Sequence, residues 1–119
     1  MASFKELIVW QKAHVFALAV YKATDSFPVD EQFGLTSQIR RAVISISSNI
    51  VEGNERGSTK EFNRFLLIAR GSNAEVQAQL ILAKDLGYIS DATFNNLADM
   101  SVEVNKLING FRKGIARTS

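Results

Sequence analysis

A single histidine, no cysteine and twelve carboxylates bound the chemistry open to this chain of 119 residues. His14 sits on an apolar stripe with Trp10 and Ala17, where a hydrogen-bonded packing histidine is expected. A Ser-His-Asp arrangement would have to be built on His14 alone. A di-iron bundle needs a Glu-x-x-His on each of two helices, which one histidine cannot supply. The lack of cysteine excludes disulfides, thiolate metal sites and thiol catalysis. "GNERG" (residues 53–57) has glycines but neither the flanking strand nor the Lys-Ser/Thr ending of a phosphate loop. Glu52 and Glu75 could form a carboxylate pair, but Arg41 and small polar neighbours favour a structural ion pair. The residues predict no enzyme, no cofactor and no metal.

The densest set of polar groups lies in "QIRRAVISISSNIVEGNERGS", Gln38 to Ser58. On a helical wheel, Leu35, Ile39, Ala42, Val43, Ile46 and Ile50 share one arc, the expected core face. Gln38, Arg41, Ser45, Ser48 and Glu52 form a neighbouring stripe spaced 3-4-3-4, as in a packing seam. Glu61, Phe65, Ile68, Ser72, Glu75, Gln79, Leu82 and Leu86 form a matching seam further along. The two seams are expected to face each other, within one chain or between subunits. Arg41 would pair with Glu75 or Glu52, and Gln38, Asn49 and Gln79 would complete the hydrogen bonds. Gly71 lies in the middle of its segment at a cost of about 1 kcal/mol against alanine, which calls for a packing reason.

The elements that must position these groups are four helices in one domain spanning residues 1–119. Breaks at Pro28, at "EGNERGSTKE" and at "DLGYISDAT" separate segments of helical periodicity, about 4–26, 31–55, 59–86 and 92–115. The first carries Leu7, Trp10, His14, Ala17 and Tyr21 on one stripe. The second adds Asn49 and Gly53 to its core positions. The third carries Phe62, Leu66, Ala69, Asn73, Val76, Leu80 and Ala83. The fourth carries Phe94, Leu97, Ser101, Val104, Ile108, Phe111 and Ile115. Ser58 or Thr59, and Ser90 or Asp91, are placed as N-caps, and Gly87 as a left-handed C-terminal cap. Short connections force neighbours antiparallel, so an all-α, up-down-up-down four-helix bundle is expected.

The surface is read from charge and excess apolar residues. Net charge is only +2, but its distribution is uneven. Arg40, Arg41, Arg56, Lys60, Arg64 and Arg70 face three acids over residues 40–70, and residues 106–119 hold Lys106, Arg112, Lys113 and Arg117 with no acid. Residues 71–105 hold one base, Lys84, against five acids. Arg40, Arg56, Lys60, Arg64, Arg70, Arg112, Lys113 and Arg117 are the candidate phosphate contacts, with Arg41 assigned to the seam. Leu67, Ala74 and Ile81 recur every seven residues, and Ile44 and Val51 lie off the core arc. Such stripes predict contact between subunits of a homo-oligomer. The N-terminus lacks the apolar region and cleavage site of a signal peptide, and no stretch approaches the roughly 20 residues of a membrane span. A cytoplasmic protein with no membrane partner is expected.

The blocks "FKELIVWQKA", "FPVDEQFGLTSQIRRA", "SNIVEG", "ARGSNAEVQAQL" and "LGYI" together cover nearly the whole chain. In them the sequence resembles the four-helix-bundle proteins encoded in intervening sequences of bacterial 23S ribosomal RNA genes. Their relatives include the accessory variability determinant protein of diversity-generating retroelements. The family's motif positions correspond to Gln38, Arg41, Ser45, Asn49, Glu52, Gly53, Gly71, Ser72, Glu75 and Leu80. The resemblance implies an antiparallel four-helix bundle in a homo-oligomer, typically a pentameric barrel, and brings no catalytic residues. Through the retroelement relative it implies binding to nucleic acid, RNA or DNA, and to a reverse transcriptase through a basic surface. Two functions follow as expectations. One is a non-enzymatic adaptor associated with nucleic acid or ribonucleoprotein, and the other is a protein-interaction scaffold with no nucleic-acid role.

Overall fold

Each helix begins and ends where the backbone finds a substitute for its missing hydrogen-bond partners. A computed structural model of the protein describes the backbone of residues 3–118 and the side chains through Gly114. It contains α1 (Ile8–Thr24), α2 (Leu35–Glu55), α3 (Thr59–Asp85) and α4 (Asp91–Thr118). Ser58 Oγ accepts from the Glu61 N–H at 3.1 Å, and Ser90 Oγ from the Thr93 N–H at 3.1 Å, which settles both open N-caps. Gly87 has φ 77°. There the Tyr88 N–H reaches Ala83 O at 2.9 Å, the long-range bond of a glycine-terminated helix.

Two starts differ from expectation. Residues 4–6 form a separate 3-10 turn, because Leu7 is extended at ψ 121° before α1 begins. Residues 29–31 form another 3-10 turn after Pro28, and α2 waits until Leu35. The expected early starts, at 4 and 31, take these turns as helix. At Leu35 the cap comes from a side chain four residues back, Glu31 Oε1, which accepts the Leu35 N–H at 3.2 Å. At the other end of the chain, α4 continues to Thr118, past the expected end at 115.

The helices pack in chain order, and α1 closes against α4. Ser45 meets Ser72, whereas Gly53 meets Phe62 and Phe65, so α2 and α3 run antiparallel. Asn63 meets Arg112, Arg70 meets Asn109 and Gln77 meets Ser101, so α3 and α4 do too. The bundle is 46 Å long and 24 by 20 Å across. Its lower end holds the α2–α3 turn, the start of α1 and the end of α4.

The core stripes expected for α2 and α3 are buried except for the half-buried Asn49, and Leu97, Ser101, Val104 and Ile108 of α4 are buried as well. Phe94 and Phe111 are half-buried against them. Ile115 lies outside the described side chains. The α1 stripe is corrected by one residue: Val9, Ala13, Phe16 and Val20 fill the core, while His14 and Tyr21 are exposed. Apolar residues occur on nearly every side of α1, so spacing alone does not select its buried face. His14 stacks on the Trp10 ring at 4.9 Å between centroids, outside the core.

Candidate nucleic-acid interface

The polar groups of α2 and α3 meet at one place. Ser45 Oγ and Ser72 Oγ lie 2.9 Å apart. Asn49 Nδ2 donates back to Ser45 O at 2.7 Å and to Ser45 Oγ at 3.0 Å. These short side chains let α2 and α3 approach closely. Gln79 Oε1 is buried with no hydrogen-bond partner among the described residues. Gln38, Arg41, Glu52 and Glu75 are exposed. The expected pairing of Arg41 with Glu75 or Glu52 is not made: Glu52 accepts from Arg56 Nη2 at 2.9 Å, and Arg41 has no ion pair among the described residues.

The glycine whose absent side chain matters is Gly53, not Gly71. A Cβ on Gly53 would stand 2.7 Å from Phe65 Cβ and 3.0 Å from Phe62 Cδ1, whereas one on Gly71 would meet nothing within 4 Å. The packing reason expected for Gly71 is therefore absent within the chain.

The candidate phosphate contacts separate into two groups. Arg40 is drawn into the fold. Its Nε donates to Thr24 Oγ1 at 2.8 Å, its Nη2 to Tyr21 O at 3.2 Å and Asp25 Oδ1 at 3.0 Å, and its guanidinium lies 4.6 Å from the Tyr21 ring centroid. It fastens the end of α1 to α2, which corrects its assignment as a partner contact. Arg56 is paired with Glu52 and lies 3.9 Å from Glu61. Arg64 holds Glu61 through Nε at 2.9 Å and Nη2 at 3.4 Å. That hydrogen bond holds the Glu61 carboxyl below its ordinary range and raises Arg64 in turn. Both Arg56 and Arg64 also lie over the Phe65 ring. Lys60 is exposed without an ion pair among the described residues. Arg117 lies outside the described side chains.

Arg70, Arg112 and Lys113 differ from all of these. With Asn109 they line one open cleft of about 400 Å³ between α3 and α4. Arg70 Nη1 donates to Asn109 Oδ1 at 3.2 Å, and Arg112 Nε donates to Asn63 Oδ1 at 3.0 Å. Both anchors are neutral amides. No carboxylate among the described residues stands within ion-pair distance of the three bases. Their charge is therefore uncompensated locally, and the amides fix the guanidinium planes without neutralising them. Asn63 and Asn109 were missed in the sequence because a charge count does not register amides.

The expected subunit contacts lie on opposite sides of the bundle. Ile44 and Val51 follow Arg40 at steps of four and seven, on the flank of α2 turned toward α1; Ile44 is exposed and Val51 half-buried. Leu67, Ala74 and Ile81 are exposed along the α4 flank of α3. Ile81 lines a second, apolar cleft of about 250 Å³ with Phe94, Ala98 and Val102. In the α1–α2 connection, Phe33 is 90% and Val29 79% exposed.

Among the described residues no group of three or more His, Cys, Asp or Glu could hold a metal ion. No described helix is long and apolar enough to cross a membrane. The class defined by these features is a four-helix bundle with a basic cleft between α3 and α4 that holds no carboxylate among the described residues. The chain belongs to the family described as 23S rRNA-intervening sequence protein, which it matches over residues 5–110. It is also similar to the crystal structure of a protein with unknown function from the S23 ribosomal protein family of Bacteroides thetaiotaomicron. The two share 28% identity and superpose with a TM-score of 0.79, over 89% of this chain and 99% of that one. No curated protein matches the chain.

Proposed function

We propose that this chain is a non-enzymatic, self-assembling adaptor that holds nucleic acid, RNA first, by its phosphate backbone. The observation that carries the reading is the gathering of Arg70, Arg112 and Lys113 in one cleft with amide anchors and no carboxylate. Arg40, Arg56 and Arg64 are matched by acids, which leaves them little charge to offer a polyanion. Phosphate contacts of this kind give affinity without sequence preference and weaken as salt rises. The family's link to ribosomal RNA genes makes RNA the first ligand to test, and the cytoplasm the expected place of action.

Self-assembly is supported by the exposed apolar residues on opposite flanks of the bundle. Two different patches facing apart favour a head-to-tail ring over a two-fold dimer, since a two-fold contact uses one patch twice. A ring of five subunits is the assembly the family resemblance implies. The exposed Val29 and Phe33 favour a second reading, a scaffold that docks a protein there. A reverse transcriptase is the protein partner implied by the retroelement relatives.

The test is a titration of the purified assembly with a structured RNA and with DNA at two salt concentrations. Binding should fall with salt and be lost when Arg70, Arg112 and Lys113 are reversed together to Glu. Affinity that ignores both salt and the triple reversal overturns the phosphate-cleft reading, and no binding at either salt overturns the nucleic-acid reading and leaves the scaffold.

A further inference from the structure

We infer that the Arg70–Arg112–Lys113 cleft seats a phosphomonoester at the end of a nucleic-acid strand, in preference to a phosphodiester within one. This rests on the reading of the cleft as a phosphate contact and narrows it to a strand end. The first ground is the hydrogen-bond geometry. Asn63 Oδ1 engages only Nε of Arg112, so its Nη1 and Nη2 have no partner among the described residues. Asn109 Oδ1 engages only Nη1 of Arg70, so its Nε and Nη2 have none among the described residues either. Each guanidinium therefore keeps an unpartnered pair of nitrogens suited to fork-like bonding of phosphate oxygens. The Lys113 ammonium, on the rim of the same cleft, adds further donors.

Charge is the second ground. The cleft holds three bases and no acid among its lining residues. A backbone diester carries a single charge, and its neighbours along the strand extend away from a pocket of this size. A terminal monoester carries about −1.5 to −2 at neutral pH and presents three acceptor oxygens. With the first diester beside it, the ligand's charge comes close to that of the three bases. The anchors matter to the same balance. An aspartate at 63 or 109 would hold the arginine equally well and cancel its charge, whereas asparagine holds it and leaves the charge for the ligand.

The experiment uses the whole protein in its natural assembly and one short RNA in three forms: hydroxyl ends, a 5′-phosphate and a 3′-phosphate. Binding is read by fluorescence anisotropy. At least one phosphorylated form should bind about tenfold more tightly than the hydroxyl form, as expected for added charge-assisted hydrogen bonds. Arg112→Ala and the near-isosteric Asn109→Asp should abolish that preference, with circular dichroism showing that both variants keep their helices. Equal, salt-dependent affinity for all three RNAs overturns the strand-end inference and leaves the backbone reading standing. Absence of binding to every form overturns both. A nucleoside monophosphate that binds as tightly as the phosphorylated RNA also overturns it, by making the site one for small phosphates.

Discussion

Arg40 Nη2 lies 3.0 Å from Asp25 Oδ1, so a base on α2 closes the end of α1. The same guanidinium holds Thr24 Oγ1, and its side chain is only 28% exposed. Arg41, one residue on and about 100° round the helix, stands in solvent. Arg40→Ala should lower unfolding stability by about 1 to 2 kcal/mol, because it removes a partly buried charged donor from several acceptors. Arg41→Ala should fall within about 0.5 kcal/mol of the parent. Urea denaturation of both variants checks this, and Arg40→Ala should retain RNA binding.

Two glycines should respond in opposite directions to alanine. At Gly53 the new methyl meets Phe65 Cβ, a position set by the α3 backbone rather than by a flexible tip. Gly53→Ala should cost about 1 to 3 kcal/mol as α2 and α3 part. Gly71→Ala meets no atom of its own chain and should add up to about 1 kcal/mol of helix stability. Thermal unfolding of the two variants reads the contrast directly.

Acid should loosen the upper end, where Glu31 caps α2. The Leu35 N–H, and after it the Tyr88 hydroxyl, hold the Glu31 carboxyl below its ordinary range. A group depressed by folding stabilises the native state above its unfolded pKa, and that contribution is lost as pH falls through the folded value. Stability should therefore drop on acidification below about pH 4, and Glu31→Gln should remove part of that dependence. Tyr88 is raised, chiefly by its hydrogen bond to Glu31, so its share is full below the ordinary phenol range and fades as pH climbs through the folded value. Denaturation midpoints measured across pH, with Tyr88→Phe as the alkaline control, test both signs.

A head-to-tail ring has a mixing signature. Ile44→Glu disables one patch and Ile81→Glu the other, so each variant alone should be monomeric. Each still keeps one sound patch, so an equal mixture should form a dimer joined through the two intact surfaces. Native mass spectrometry distinguishes the states. A two-fold interface through either patch would leave one of the two variants dimeric on its own, and mixing would add no new species.

The bundle could be read from sequence because α2, α3 and α4 each have one clear apolar stripe against a polar background. In α1 the apolar residues run round the helix, from Ile8 and Val9 to Val20 and Tyr21, and its phase was set only by packing. The roles of Arg40 and Arg41 turned on the same quantity. The helical wheel gives the angle between them but not which neighbouring helix each angle meets. The α3–α4 cleft was half visible. Its bases stood out in the charge pattern, whereas the amides that hold them are 46 positions apart, Asn63 to Asn109, and meet only through the register of two helices.

The uneven placement of charge has a kinetic consequence. Asp25, Asp30, Glu31, Asp85 and Asp91 outnumber Lys22, Arg40, Arg41 and Lys84 toward the upper end of a body 46 Å long, while Arg56, Lys60, Arg64, Arg112 and Lys113 outnumber Glu52, Glu55 and Glu61 toward the lower. A polyanion approaching through solution would feel this as a torque before any contact forms. The bundle would turn its lower end forward during the encounter, and the field that turns it reaches only about 10 Å in 0.1 M salt. Salt should therefore act first on the rate of association, with a smaller effect on how long a formed complex lasts.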